Sequence, residues 1–326
     1  MADNRRNRIL YIYRILMDET DEQHPMTIPQ IIDKLSGYGI QVDRRAVYDD
    51  IGALRAYGLD VIYQKEKNHN YYVGSRSFEL AELKLLADAV QSSRFITPKK
   101  SELLIKKLQS LTSREQAKEL SRQIFIANRV KSPNEQIFYN VDKLHKAIDA
   151  GRRITFQYME FGLDKKLRPR RDGELYHASP YLLSWDDENY YLIAWYDRYD
   201  GLSHFRVDKM AVIEITAEER RPLEHPLDAA EYARRTFGMF SGEPVKVEIW
   251  FDASLIGVVI DRFGTDVFIS ANNQTGFTVS VEATVSPAFL AWLIQFGDKA
   301  KILAPDSVKD EMTVLLSKAI SAYKEK

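Results

Sequence analysis

Between Ser179 and Met210 the chain reads SPYLLSWDDENYYLIAWYDRYDGLSHFRVDKM, and this stretch limits the possible folds more than any other. Tyr181, Leu183 and Trp185 alternate up to a polar turn, Asp186-Asp187-Glu188-Asn189, after which Tyr190 to Tyr196 is rich in strand formers. Two such runs about a short polar turn predict a β-hairpin. A second turn at Tyr199-Asp200-Gly201 leads into His204-Phe205-Arg206-Val207-Asp208-Lys209-Met210. Strand side chains alternate with period two, so His204, Arg206 and Asp208 are expected on one face.

A chain of 326 residues has room for two or three domains, each with its own core. With 45% hydrophobic and 29% charged residues the composition is that of a soluble protein. The chain has no cysteine, which excludes disulfides, thiolate metal sites and a cysteine nucleophile. No apolar run approaches the ~18 residues of a membrane span, and the opening MADNRRNRIL lacks an apolar signal core. The expected location is the cytoplasm, with no membrane partner. A formal net charge of −1 gives no general attraction to nucleic acid, so the placement of charge matters more than its sum.

Residues Arg8 to Met17 have helical spacing, with Ile9, Tyr13 and Leu16 on one face. Thr27 followed by Gln30 is a capping box for a second helix, Ile28 to Leu35, ended by Gly37 and Gly39. Asp43 can cap a third helix to about Tyr57, with Val47, Ile51 and Leu54 at i, i+4 and i+7 as its buried face. Val61 to Tyr63 and Tyr71 to Val73, joined by a polar loop, read as a hairpin. Three helices followed by a two-stranded wing predict a winged helix-turn-helix.

From Phe78 to about Ile126 the spacing is helical throughout, punctuated at Thr97-Pro98 and Thr112-Ser113, and predicts a helical connector. Another helix, Val141 to Ala150, precedes a strand from Arg152 to Tyr158. Residues 152–171 hold seven Lys or Arg against two carboxylates, Glu160 and Asp164, the densest basic cluster in the chain. Several short strands after a helix suggest a small closed or nearly closed barrel. Arg220 to Pro226 reads as a linker, and the remainder gives the order βαββαβ, which is ferredoxin-like.

The ordered combination of Ser179-Pro180-Tyr181, Tyr190-Tyr191-Leu192 and His204 to Met210 resembles the WYL-domain transcriptional regulators. In that family a DeoR-like helix-turn-helix precedes a domain named for its Trp-Tyr-Leu triplet. Tyr190 replaces the family's Trp, and Lys209 replaces the usual second Arg, losing the bidentate contact Arg can make. The segment AWLIQFGDKAKILAPDSVKDEM resembles the C-terminal extension that often follows WYL domains. The resemblance implies an Sm-like barrel and the sensing of a nucleic acid or nucleotide-like molecule. The expected fold class is thus multidomain α+β. A winged helix-turn-helix (1–75) and helical connector (76–137) precede an Sm-like WYL barrel (138–222) and a ferredoxin-like extension (223–326).

Candidate DNA-binding residues lie on the outer side of the third helix, Arg44, Arg45, Tyr48 and Arg55, and on the wing, Lys65, Lys67 and Asn68. A helix fits the major groove, where Arg can pair bidentately with guanine, and wing cations with Arg5, Arg6 and Arg8 can hold phosphates. The plainer alternative is a solvated helix face, and Asp49 and Asp50 keep part of it from meeting phosphate. In the barrel, Arg170, His177, Tyr181, Ser184, Tyr191, His204 and Arg206 are the candidate effector-binding set, with cations for phosphate and rings for base stacking. Tyr190, Leu192 and Trp195 are expected in the core, and Arg206 has Asp208 as a competing structural partner.

No phosphate-cradling glycine loop, zinc-protease helix or nucleophile elbow is present, and the six histidines form no helical pair, so neither an enzyme nor a cofactor is implied. The expected partners are a double-stranded DNA operator, a second copy of the chain, and an effector that is a short single strand or a nucleotide second messenger. Two rival readings use the same residues. One is an RNA-binding or RNA-processing accessory protein; the other is a nucleotide-acting enzyme with His177 or His204 as general base.

Overall fold

The computed structural model describes residues 2–65, 69–121, 131–223, 244–273 and 275–324, and between 223 and 244 residues 225, 227, 228, 232, 236–239 and 242. It is a mixed α/β chain of two compact units, residues 1–135 and 136–326.

The first unit opens with helices α1 (Ala2–Glu19), α2 (Ile28–Gly37) and α3 (Arg44–Tyr57). The capping box forms: Gln30 N donates to Thr27 Oγ1 at 3.4 Å and Thr27 N donates to Gln30 Oε1 at 2.7 Å. Asp43 Oδ1 accepts from Ala46 N at 2.8 Å, which starts α3, and Gly58 ends it in the left-handed conformation (φ 112°) that favours glycine. Ile12, Ile15 and Leu16 of α1 meet Ile31 and Leu35 of α2 and Val47, Ile51 and Leu54 of α3 in one buried core. The expected hairpin is present as β2 (Val61–Gln64) and β3 (Asn70–Val73). A third strand, β1 (Met26–Thr27), pairs with β3 through Met26 and Thr27. Two residues are too short to show a period, so this strand has no signature in the sequence.

Helices α4 (Leu80–Ser92), α5 (Pro98–Gln109) and α6 (Arg114–Ser121) make up the rest of this unit; Ile124 lies outside the described residues. Thr97 Oγ1 caps α5 through Lys100 N (3.2 Å), and Ser113 Oγ accepts from Gln116 N (3.2 Å). Ser113 Oγ also donates to Asp21 Oδ2 at 2.5 Å, and Asp21 Oδ1 accepts from His24 N at 2.8 Å. Burial works against a charge on Asp21, but these hydrogen bonds from Ser113 and His24 outweigh it and hold the carboxyl below the usual range. Asp21 thereby joins the loop after α1 to the start of α6.

In the second unit, α7 (Ile137–Asp149) packs Leu144 and Ala147 against a curled sheet, and Asn140 Nδ2 donates to Met210 O at 2.8 Å. The strands are β4 (Arg152–Phe161), β5 (Leu167–Pro169), β6 (Tyr176–Asp186), β7 (Asn189–Tyr196), β8 (Gly201–Arg206) and β9 (Met210–Glu219). Their order is β5-β4-β6-β7-β8, with β9 returning to pair with β4. The curl surrounds an aromatic stack: Phe156 on Tyr176 at 5.3 Å, Tyr176 on Tyr196 at 5.2 Å, and Phe205 edge-on to all three. The turn between β6 and β7 places Asp187 (φ 42°) and Glu188 (φ 60°) in the left-handed region, the geometry that matches the twist of a two-residue hairpin.

The last part has β10 (Pro244–Asp252), α8 (Ile256–Phe263), β11 (Ile269–Asn273), β12 (Gly276–Thr284), α9 (Pro287–Ile294), β13 (Ala300–Ala304) and α10 (Asp306–Lys324). Its antiparallel sheet runs β11-β12-β10-β13, so α8 and α9 each join two strands that have another strand between them. Val247, Ile249 and Phe251 alternate inward from β10 onto Val259 of α8 and Phe289 and Leu293 of α9. A Cβ at Gly276 would stand 2.5 Å from Phe251 O, so only glycine fits this crossing. Among the described residues no helix is long and apolar enough to cross a membrane.

Phe156→Ala empties the centre of the aromatic stack and is expected to lower unfolding stability by about 3–5 kcal/mol. Urea denaturation at unchanged slope checks this, and a loss under ~1 kcal/mol would show that the ring is not central to the core.

Candidate functional site

Burying Val47, Ile51 and Leu54 turns the other side of α3 to solvent. Arg44 and Arg45, in its first turn, are exposed, and among the described residues neither is held in an ion pair. Tyr48, one turn on, is 49% exposed and rests edge-on against Tyr71 of β3, ring centres 6.4 Å apart. Arg55 is tied down: its Nε donates to Val61 O at 2.8 Å, bracing the end of α3 against β2. Lys65 is exposed on the wing, whereas Lys67, Asn68 and the side chains of Arg5 and Arg6 lie outside the described residues.

Arg8 corrects the expectation of a phosphate contact. Its guanidinium makes a two-pronged pair with Asp50 of α3, Nε to Oδ2 at 2.5 Å and Nη2 to Oδ1 at 3.0 Å. The side chain is only 12% exposed, and the Asp50 hydrogen bond raises its pKa further against the opposing effect of burial. Arg8 therefore joins α1 to α3, and Asp50 is neutralised.

The pairing register sorts the barrel candidates. Leu192, Ala194 and Tyr196 of β7 face the core, so Tyr191, Ile193 and Trp195 face the other way. Tyr191 stands opposite Ser184 on β6 and Arg206 on β8, and Ile193 opposite His204. Ser184, Tyr191, His204 and Arg206 thus share the outer face of one sheet. Of the three residues expected in the core, Leu192 is fully buried and Tyr190 packs at its edge. Trp195 falls on the outer face by the same period-two rule, with the Arg221 guanidinium 4.0 Å from its ring centre.

Arg206 is firmly held. Nε and Nη2 donate to Asp208 Oδ1 and Oδ2 at 3.0 and 2.8 Å, and Nη2 donates to buried Asn189 Oδ1 at 2.9 Å. Its backbone N donates to Tyr158 Oη at 3.2 Å, a phenol pushed up to about 12 by burial. His204 is hydrogen-bonded through Nε2 to Tyr232 Oη at 2.7 Å and to the main chain of Met239. Burial drives its pKa down to about 4, although the Met239 contact works the other way. Tyr232, which lies between β9 and β10 in sequence, thus reaches the outer face at His204. Further along the chain, Arg262 of α8 donates to Thr236 O at 3.0 Å and stacks on Phe237 at 3.8 Å.

The other three candidates have separate partners. Tyr181 sits at the bulge in β6 and donates to Arg221 O at 2.7 Å. Arg170 is exposed, with Nε 3.3 Å from Glu160 Oε2. His177 is exposed on β6 opposite Thr155.

The basic cluster at 152–171 is weaker than its charge count suggests. Arg153 pairs with Asp197 and Glu218, Arg168 with Asp164, and Arg170 with Glu160. Arg171, absent from the expected set, reaches Tyr196 Oη through Nη1 at 2.6 Å and Tyr199 Oη through Nη2 at 3.0 Å. The one sequence signal for it was the Asp172-Gly173 turn that follows.

Residues 139–215 match the WYL domain and residues 243–320 match the WCX domain. The chain thus carries a WYL domain followed by a WCX domain. The solved structure of proteasome accessory factor B/C (PafBC) of Arthrobacter aurescens is similar at 17% identity over 97% of this chain. This chain spans 49% of that one, and the TM-score of 0.27 is too low to establish a shared overall arrangement. No curated protein matches the chain.

The His204 environment gives a pH dependence. The unfolded chain takes up a proton near the ordinary value of 6.5, whereas the folded imidazole stays neutral down to about 4. Stability is therefore full above that ordinary value and is lost as pH falls through the window, at up to ~1.4 kcal/mol per pH unit. In urea titrations across this window, His204→Gln is expected to flatten the curve. An unchanged curve would show that His204 titrates in the folded chain as it does in water.

Proposed function

We propose that the chain is a DNA-binding transcriptional regulator of the cytoplasm, a binding protein rather than an enzyme. Its first three helices and wing act as a winged helix-turn-helix, the curled sheet as an Sm-like sensing barrel, and residues 244–324 as a ferredoxin-like dimerisation domain. The observation that carries this reading is the first turn of α3, where Arg44, Arg45 and Tyr48 project from a helix fixed on its other side by Val47, Ile51 and Leu54. Such a helix can enter the major groove, where Arg reads guanine O6 and N7 together. Asp50, a carboxylate that would repel phosphate, is already neutralised by Arg8.

The proposed effector is a short single strand or a nucleotide, received on the outer face at Ser184, Tyr191, His204 and Arg206. Phenol, imidazole and guanidinium side by side suit a phosphate with a base beside it. An effector can change DNA affinity only by binding one arrangement of the dimer better than another, and residues 76–137 are the proposed carrier of that change. Dimerisation is supported by α10, whose second half exposes Leu316, Ile320 and Tyr323 at i, i+4 and i+7. Beside it lies a cavity of about 510 Å³ lined by Leu293, Ile302 and Met312 among others.

The test is fluorescence anisotropy of the full chain on a duplex selected from random sequence, with and without short oligonucleotides. Arg44→Ala is expected to cost about 1–3 kcal/mol on the selected site and much less on random duplex. Tyr191→Ala is expected to leave DNA binding intact and abolish the oligonucleotide response. Equal losses on both duplexes for Arg44→Ala would reduce its role to a phosphate contact, and an unchanged response in Tyr191→Ala would remove the effector face.

Dimerisation is checked separately by sedimentation. The wild-type chain is expected to be a dimer at micromolar concentration, and Ile320→Glu, which puts a charge in the apolar face, is expected to be monomeric. A monomeric wild type would end this part of the proposal.

A further inference from the structure

We infer that the WYL barrel carries a second oxyanion site, built on Arg171 and suited to a nucleotide phosphate, on a different surface from Tyr191 and Arg206. The inference takes only its ligand class from the proposed function, and it rests on different residues. Arg171 opens a run of three left-handed residues between β5 and β6: Arg171 (φ 55°), Asp172 (φ 53°) and Gly173 (φ 86°). Two of these are not glycine, a backbone conformation that persists only where surrounding contacts hold it and that recurs at ligand clamps. Here it brings the guanidinium to the end of β7, onto the inward-facing Tyr176 and Tyr196.

The partners of this guanidinium are phenols. Nη1 and Nη2 donate to Tyr196 and Tyr199, and the guanidinium carbon lies 5.1 Å from the Tyr176 ring centre. Among the described residues no carboxylate pairs with Arg171, whereas Arg168 and Arg170 nearby in sequence and Arg198 next to Tyr199 are each matched, by Asp164, Glu160 and Glu174. A guanidinium has five N–H groups, so most remain available, and each phenol that accepts from it still has its own O–H to donate. Tyr176 adds a further hydroxyl: the residue is 3% exposed, its Oη has no hydrogen-bond partner, and Arg171 is the strongest charge acting on it. The cluster therefore offers donors in excess and no negative charge. A phosphate supplies what is missing, because its oxygens match the guanidinium fork and accept from hydroxyls. The Tyr199 ring, 65% exposed beside the same guanidinium, gives a base a face on which to stack.

Calorimetric titration of the full chain in phosphate-free, low-salt buffer, first with adenosine monophosphate and then with inorganic phosphate, tests this. The wild type is expected to bind both, the nucleotide more tightly. Arg171→Gln is expected to weaken both by about tenfold or more, the loss of a charge-assisted contact. Tyr199→Ala is expected to weaken the nucleotide and to leave phosphate within about twofold. If the Gln variant fails to fold, Arg171→Lys replaces it: the charge stays, the fork is lost, and both affinities are expected to fall by roughly fivefold. Absence of binding by the wild type, or affinities unchanged in the Arg171 variant, overturns the inference. If binding is instead lost in Arg206→Ala, nucleotide recognition stays with the Tyr191 face and only the Arg171 site is removed.

Discussion

Everything the curled sheet of the WYL domain can present to a ligand follows from which way β7 faces. Leu192, Ala194 and Tyr196 point inward because the stack of Phe156, Tyr176, Tyr196 and Phe205 needs a wall, and a strand has no third direction in which to turn its other residues. Tyr191, Ile193 and Trp195 must then point outward. Ile193 is nevertheless fully buried and belongs to no part of the barrel's own core, so another stretch of chain covers it. Tyr232, bound to His204 directly across from Ile193, is part of that cover. The outer face is thus already in contact, at His204, with Tyr232.

Ion pairs decide which of the many basic residues remain available. Arg8 and Arg206 are both held by two-pronged carboxylate pairs, to Asp50 and Asp208, and each serves first to fix two elements together. Breaking such a half-buried pair leaves a carboxylate without its partner, so neither arginine can be released to a ligand at no cost. Arg44, Arg45 and Arg171 differ in having no carboxylate partner among the described residues. Two places where an arginine without a carboxylate partner can meet a new negative charge are therefore the first turn of α3 and the Arg171 end of the curled sheet.

Much of the fold could be read from the sequence because its punctuation is local. The Thr27-Gln30 box, the Asp43 cap, the turn at Asp187 and Glu188, and the alternation of Val247, Ile249 and Phe251 each act within a few residues. What could not be read depends on residues far apart in the chain. Asp50 takes Arg8 from 42 positions away, Tyr232 reaches His204 from 28, and Arg171 finds Tyr196 at a separation of 25. The period-two rule put His204, Arg206 and Asp208 on one face; the pairing register places His204 and Arg206 so, but the strand ends at Arg206 and Asp208 lies in a 3-10 turn. It could not show that Tyr232 would bond to His204, nor that the bulge after Pro180 would send Tyr181 to Arg221 instead.

These two features together constrain how an effector on the outer face could act. A buried neutral His204 bonded to Tyr232 has no free hydrogen-bonding capacity on that ring nitrogen, so a ligand contacting it must first take Tyr232's place. Thr236 and Phe237, which follow Tyr232 closely in sequence, are held by Arg262 of α8, so displacing Tyr232 would act beside the hold on the WCX domain. On the proposed reading, ligand entry and the position of the WCX domain are then one equilibrium. An effector would shift it by the difference between its own contacts and those of Tyr232, which is the differential binding that any such switch requires.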